Sequence, residues 1–312
     1  MTVTTQLPQL TTGSTTLSCY GVIKVAGEDA LSFLHNQLTQ DFINLKEDQA
    51  NFCVFCNAKG RIQASFIAIE SLKNEILLIT SADLVLQTVK RLSMFVLRSK
   101  VKITDATEQY DLLGTIGDEN VPKGVSTHPW SHFINNPETT ATHWVTLYPA
   151  CGKFRFIRIS IKGMQSHVAP SISVNDWQLS EILSGVCFIN LPTFEAFVPQ
   201  MINYESLNGI NFKKGCYPGQ EVVARSQFRG TIKRRGFIIS CESALSSGDE
   251  LFFASDRSQP CGKIVSSASH LGTYYAFASI LTHFDKSSDL IVTAHNEAVS
   301  FHELPYSLRD DI

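Results

Sequence analysis

The chain has 312 residues, 44% of them hydrophobic and 18% charged, with a net charge of −3. That balance excludes a disordered chain and supplies no overall field that would draw DNA, RNA or anionic lipid. At this length a sizeable core can close, enough for about two domains.

The opening ten to fifteen residues are Thr-rich and polar and read as a flexible lead-in. "CYGVIKVAGED" reads as a strand ending in a Gly turn, and "EDALSFLHNQLTQDF" spaces Leu31, Leu34 and Leu38 as an amphipathic helix. "NFCVFCNAKGRIQASFIAIE" reads as a hairpin turning at Asn57–Gly60, followed by a strand at "NEILLIT". Ser81 is placed to cap a long helix with a stripe of Val85, Val89, Leu92 and Val96. "SKVKITDA" and "YDLLGTIG" are strand-like, and residues 117–142 are rich in Pro, Asn and Thr and read as loop. "HWVTLYP" and "KFRFIRISI" follow as strands, the second setting Arg155 and Arg158 among Phe154, Phe156, Ile157 and Ile159. Asn175 or Asp176 is placed to cap a helix carrying Trp177, Leu179 and Ile182 that stops at Gly185. After Arg235 six short strand-like runs follow with no helical pattern between them, which predicts a small closed β-barrel and a boundary near 232. The part before it mixes strands and helices without regular βαβ alternation, so the fold class is α+β.

Eight cysteines are sparse for a disulfide framework, no leader with a basic and an apolar region opens the chain, and no apolar run nears the ~20 residues of a membrane span. A cytoplasmic protein with reduced thiols, and with neither membrane nor DNA as partner, is the expectation. The common phosphate-loop, dinucleotide, zinc-protease and nucleophile-elbow motifs are absent. Cys53 and Cys56 form a C-x-x-C that suits a redox or metal pair, yet in a strand that spacing points them to opposite faces, which suits core cysteines. His128 and His132 in "HPWSH" have helical ligand spacing, but Pro129 argues for an exposed turn. No metal site is expected.

The window from Lys213 to Arg235 stands apart. It holds seven basic residues (Lys213, Lys214, Arg225, Arg229, Lys233, Arg234, Arg235) against one acid, Glu221, so the remainder of the chain carries −9. An anionic partner suits it, whether a polyglutamate tail, a phosphate or RNA, and so does a solvated basic face. Within it Cys216 sits beside Lys213–Lys214 and a Pro218–Gly219 turn, a setting that stabilises a thiolate and also fits an ordinary loop cysteine. "GQEVVARSQF" after it reads as a helix start with amides free for an anion.

"KGCYPGQE", Lys214 to Glu221, with Arg225 following, resembles the signature of the YgfZ family, folate-binding proteins related to the aminomethyltransferase of the glycine cleavage system. "FVPQ", "NGINFKKGC", "FLHNQLTQD", "CNAKGRI" and "LPYSL" are similar to other segments of that family, so the resemblance spans nearly the whole chain. It implies a three-lobed fold, two α+β lobes over residues 1–231 and a C-terminal β-barrel over 232–312, around a channel for tetrahydrofolate. It also implies a role in supporting iron–sulfur client enzymes, including one that thiomethylates tRNA. On this resemblance Cys216 is the candidate functional thiol. Lys214 and Arg225 would hold the folate carboxylates, Gln220 or Glu221 would fix the loop, and Tyr20 and Trp177 would line the channel. Two departures bear on activity. No Asp or Glu stands between Gly60 and Glu70, where related aminomethyltransferases place their acid/base, and Leu183 stands where the family often carries a pterin-binding acid. A folate-binding accessory protein is therefore the first expectation, a folate-dependent one-carbon transferase the second, and direct tRNA binding through the basic window the third.

Overall fold

Alternating and fully apolar runs separated by Gly and Asn turns set up sixteen strands and four helices in a computed structural model that describes residues 7–135, 141–164, 169–228, 232–283 and 290–309. In chain order the first elements are β1 (Gly13–Thr16), β2 (Tyr20–Ala26), α1 (Ala30–Gln37), β3 (Asn51–Cys56), β4 (Ile62–Leu72), β5 (Glu75–Ser81), α2 (Val85–Ser93) and β6 (Lys102–Asp105). Next come β7 (Tyr110–Ile116), β8 (His132–Asn135), β9 (Thr142–Ala150), β10 (Lys153–Ile161), α3 (Val174–Ser184) and α4 (Gln220–Phe228). The last are β11 (Arg234–Cys241), β12 (Glu250–Phe253), β13 (Gly262–His270), β14 (Thr273–Leu281), β15 (Ile291–Val292) and β16 (Ser300–His302).

Three sheets organise them. The first has the order β3-β4-β5-β2-β6, the second β1-β7-β10-β9-β8, and the third β15-β12-β13-β14-β11-β16. The strand ladders among the described residues are antiparallel, and the helices stand outside the sheets, so the fold is α+β with three lobes. The six C-terminal runs are all strands of one curled sheet, and its two edges meet just before β16, where Val292 bridges Ala298 and Val299 N donates to Ile291 O at 3.0 Å.

Other expectations change. The Thr-rich lead-in is strand from Gly13: β1 pairs with β7, Ser14 and Thr15 are buried, and the Ser14 and Thr115 hydroxyls meet at 3.0 Å. Its first six residues lie outside the described ones. The stretch 117–142 contains β8, which pairs with β9. Ser81 stands before a 3₁₀ turn, Ala82–Leu84, that leads into α2, its hydroxyl donating to the Asp83 carboxylate at 2.7 Å, and Val96 lies beyond the helix end. α3 is capped by Ser173, whose hydroxyl accepts from the Asp176 amide at 3.1 Å while the Asp176 carboxylate accepts from the Ser173 amide at 2.9 Å. That frees Asn175 to clamp the third sheet: its side chain donates to the Ser269 carbonyl at 2.7 Å and accepts from the Ser269 amide at 3.1 Å. A second amide clamp joins Asn203 to both backbone groups of Gly236 at 2.9 and 3.0 Å. One apolar cluster runs through the first two lobes onto one face of the third sheet, at Ile238, Val265, Tyr275 and Phe277. No helix among the described residues is long and apolar enough to cross a membrane.

Candidate functional site

β3 is buried on both faces, so its side chains carry no polar signature. At its centre Phe52 stacks on Trp130, with ring centroids 4.9 Å apart and planes 2° from parallel, and meets Tyr204 edge-on at 4.8 Å. Trp130 reaches that position from the second lobe through a left-handed backbone, φ +65°, and its indole N–H donates to the Leu207 carbonyl at 3.0 Å. Backbone bonds at 2.8 Å from Ala50 N to Trp130 O and from Trp130 N to Thr146 O fix it on both sides. Beside this pair opens a cavity of about 370 Å³ where the first two lobes, the linker after Leu207 and the C-terminal segment meet. Asn51, Asn208 and Phe212 line it with Lys213 and Arg309, the Arg309 guanidinium lying 5.9 Å from the Phe212 ring centre. It offers an apolar floor, amides and two cations, and among the described residues no Asp or Glu lines it.

A second constellation lies wholly inside. Arg155, read from the strand pattern as one of two basic positions on β10, is only 1% exposed. Its guanidinium donates to Ser180 Oγ at 2.8 Å and Ser184 Oγ at 3.0 Å, lies 4.6 Å from the Trp177 ring centre, and stands 3.8 Å from Glu181 Oε1. Tyr20 donates its hydroxyl to the same Glu181 oxygen. Burial pushes the Glu181 carboxyl up to about 7, although Arg155 and Tyr20 pull it down. Burial and then Glu181 push the Cys19 thiol up to about 12 and raise Cys187, so neither is a thiolate. Tyr20 and Trp177 are therefore brought together, through Glu181 and Arg155, as buried walls: Trp177 is 0% exposed, and a Cβ on Gly114 would sit 2.6 Å from its ring. Leu183, on the same helix, is buried too.

The signature loop lies elsewhere. Lys214 turns its ammonium inward onto the C-terminal end of α1, donating to the carbonyls of His35 and, at 2.7 Å, Leu38. Burial lowers it to about 8, and it covers the Tyr217 ring at 4.9 Å. Cys216 is exposed. Gln220 opens α4, its amide bonded to the Tyr217 carbonyl at 3.2 Å, and Glu221 and Arg225 pair with each other at 2.8 Å on the solvent side. No hydrogen bond or ring contact described for Lys214, Gln220, Glu221 or Arg225 reaches Tyr20 or Trp177. The basic window is likewise divided: Lys213 faces the central cavity, Arg234 donates to the carbonyls of Pro260 and Cys261, Arg235 forms a buried pair with Glu205, and Arg229 lies outside the described residues.

Gly219 fixes the loop against the hairpin. Its φ is +81°, and a Cβ there would lie 2.4 Å from the Asn57 carbonyl oxygen and 2.8 Å from Gly60 Cα. Gly219→Ala is expected to lower stability by about 2 kcal/mol or more, through left-handed strain plus a backbone clash. Gly215→Ala meets only His35 Nε2 at 3.6 Å and is expected to stay within about 0.5 kcal/mol of wild type; urea unfolding of both variants checks the pair.

Cys53 and Cys56 are both buried in β3, and burial raises both thiols. His128 is exposed, but His132 is buried against His143, which corrects the exposed-turn reading of "HPWSH". Among the described residues no three His, Cys, Asp or Glu side chains gather into a metal-sized group. Phe52, Trp130, Arg155 and Arg309 were not singled out as site residues by sequence. The only trace of Trp130 was a large aromatic in a Pro-containing turn, where an exposed loop would rarely place one.

The comparisons with known proteins agree with this architecture. The GCVT N-terminal domain model matches residues 10–120. The solved glycine cleavage system aminomethyltransferase T from Bartonella henselae superposes with a TM-score of 0.69 at 15% identity, over 96% of this chain and 87% of that one, a likeness of fold. The tRNA-modifying protein YgfZ of Aliivibrio fischeri is 27% identical over 316 residues, 98% of this chain and 95% of its own. That of Colwellia psychrerythraea is 31% identical over 258 residues, 78% of each chain. With identity at that level over most of both lengths, the chain belongs to the YgfZ family.

Proposed function

We propose that this chain is a folate-binding accessory protein of tRNA modification, acting through iron–sulfur enzymes that thiomethylate tRNA and not by turnover of its own. The name borne by its relatives supports the tRNA connection, and the aminomethyltransferase-like fold supports the folate one. The observation that carries the reading is the central cavity. Its volume of about 370 Å³ lies within the range of small-molecule sites. Its make-up suits a flat heteroaromatic ring with an anionic tail: the Phe52–Trp130 floor and the Phe212 wall bury the ring, Asn51 and Asn208 meet its polar edge, and Lys213 and Arg309 hold carboxylates. Bound tetrahydrofolate would supply a one-carbon carrier there. The cavity lining holds no carboxylate to move a proton, and no Asp or Glu stands between Gly60 and Glu70, where related aminomethyltransferases place their acid/base, which favours binding over group transfer. Cys216 is exposed, as is Cys151, and it sits in the loop that Gly219 packs against the hairpin turn; on this reading it is the thiol for contact with a client.

Calorimetric titration with tetrahydrofolate tests this. Wild type is expected to bind, Trp130→Ala to bind at least roughly tenfold more weakly through loss of the stacked floor, and Trp177→Ala to weaken binding only as far as it unsettles the fold. Absence of binding by folded wild type would sink the folate reading.

A further inference from the structure

Away from the central cavity, two hollows open on either side of one short segment, Phe194–Phe197. The first, about 240 Å³, lies between the hairpin and α2 and is walled by Phe55, Phe194 and Met94. The second, about 200 Å³, lies where the hairpin meets the third sheet and is lined by Arg61, Arg234 and Lys263 beside Ala196. The dividing segment is zipped to the start of β4: Ile62 N donates to Phe197 O and Glu195 N to Ile62 O, both at 2.9 Å, and Arg61 donates to Ala196 O at 2.5 Å. Phe194 and Ala196 are two residues apart, so their Cα atoms are at most about 7 Å apart.

The first hollow carries polar atoms that nothing among the described residues satisfies. Gln63 is 3% exposed and donates its side-chain N–H to Glu195 Oε1 at 2.6 Å. A carboxylate only accepts, so this bond sets the amide orientation and leaves the Gln63 carbonyl oxygen buried at the wall without a partner. Gln87 Nε2 is likewise buried and unpartnered. Folded proteins leave few such atoms, and here an acceptor and a donor belong to the lining of one aromatic hollow. Lys90 and Arg91 line the same hollow with no acid among the lining residues. Around the second hollow the carboxylate in reach of the cations is Glu250, 3.5 Å from the Lys263 ammonium.

We propose that the two hollows together hold a single-stranded RNA segment. One unstacked base enters between Phe55 and Phe194 and presents its edge to Gln63 Oε1 and Gln87 Nε2, while its neighbouring phosphates lie on Lys90 and Arg91 and on Arg61, Arg234 and Lys263. An acidic peptide with an apolar anchor satisfies the charges, but it reaches the two amide atoms only with its backbone, which then takes the place of the anchor in the hollow. A nucleobase satisfies both, because its edge sets donor beside acceptor and its face is a stacking surface. This site is separate from the central cavity and does not depend on the folate reading.

Fluorescence anisotropy with labelled six-nucleotide homopolymers of each base tests it. Wild type is expected to bind at about 50 mM salt, to weaken at least tenfold by about 200 mM, and to prefer one base. Gln63→Leu and Gln87→Leu are each expected to cost about tenfold for that base and to flatten the preference. Gln87 is on a surface helix, so its variant keeps the test valid if Gln63→Leu melts early. Lys90→Gln with Arg91→Gln is expected to weaken all four strands alike and lower the salt slope by about 1 to 2. The proposal is overturned if wild type binds none of the strands, if both Gln variants bind like wild type, if mononucleotides bind as tightly as strands, or if polyglutamate binds the same face regardless of the Gln variants. Displacement of RNA by tetrahydrofolate, with loss of folate binding in Gln63→Leu, would also overturn it by assigning the hollow to folate. Unchanged folate binding in these variants would leave the two readings independent.

Discussion

Replacing Arg155 with Met is expected to destabilise the protein by about 3–5 kcal/mol, because it removes one partner of a buried charged network and leaves the rest inside. At the entropy of unfolding of a chain this size, the melting temperature should fall by roughly 5–8 °C. Ser180 and Ser184 lose their donor, the Trp177 face loses its cation, and Glu181 loses the positive charge that partly offsets its burial. The effect should depend on pH in a definite direction. In wild type the Glu181 carboxyl stands at about 7, above its ordinary 4.5, so its contribution is full below 4.5 and is lost as pH rises through 7. Without Arg155 the upper limit of that window moves higher still. The loss caused by Arg155→Met should therefore be larger at pH 8 than at pH 5.5, where Glu181 is already neutral. Urea unfolding at the two pH values measures both numbers; a loss under about 1 kcal/mol at each would show that Arg155 is not a structural keystone. Arg155→Lys should recover little, since a single ammonium cannot reproduce the planar fork that spans two serines and a ring.

The histidine pair should make the protein acid-labile. His132 donates from Nδ1 to the Glu47 carbonyl at 2.8 Å, so its Nε2 is the acceptor of the 3.0 Å bond from His143 Nδ1. Both rings are 4% exposed and stack 5.2 Å apart. Burial lowers both, with His143 reaching about 4 against an ordinary 6.5. Each folded value lies below the unfolded one, so the contribution is full above pH 6.5 and drains away as pH falls toward 4, by about 3 kcal/mol for His143. This slope has the opposite sign to that of Glu181. A series of unfolding curves from pH 7.5 to 4.5 separates them: His143→Gln should flatten the acid limb and leave the rise from Glu181 visible. An acid limb of the same steepness in the variant would assign the lability to other groups.

Much of this molecule was legible as sequence, for reasons that can be named. Period-two patterns and Gly–Asn turns located the hairpin and the six C-terminal strands, and "KGCYPGQE" pointed to the family before any geometry was available. What failed was information that only packing supplies. β1 is Thr-rich and looks like solvent-facing chain, yet β-branched threonines fit a ladder once β7 offers an edge. Arg155 looks like an outward charge on an alternating strand, and becomes interior only because α3 lays two serines and a tryptophan over it. Phe52 sits in a strand buried on both faces, where alternation vanishes and no position stands out. The loop residues of the signature were recognisable as a motif, but their directions were not: Lys214 points at a helix end and Arg225 at its own helix neighbour.

The apolar cluster shared by the third sheet and the other lobes has a consequence for how the protein comes apart. Ile238, Val265, Tyr275 and Phe277 belong to the same packed unit as Phe52 and Trp177, whereas Ile239, Leu251, Ile264 and Ile280 form a separate cluster on the sheet's other side. Adjacent residues of β11 thus report to different cores. The sheet's two faces then have different ties: the second cluster is enclosed by the sheet's own strands and is released only when they part, while the shared face is released when the other lobes come away from it. A cut near residue 232 would therefore leave the third sheet with a packed cluster of its own and bare the face it shares with the other lobes.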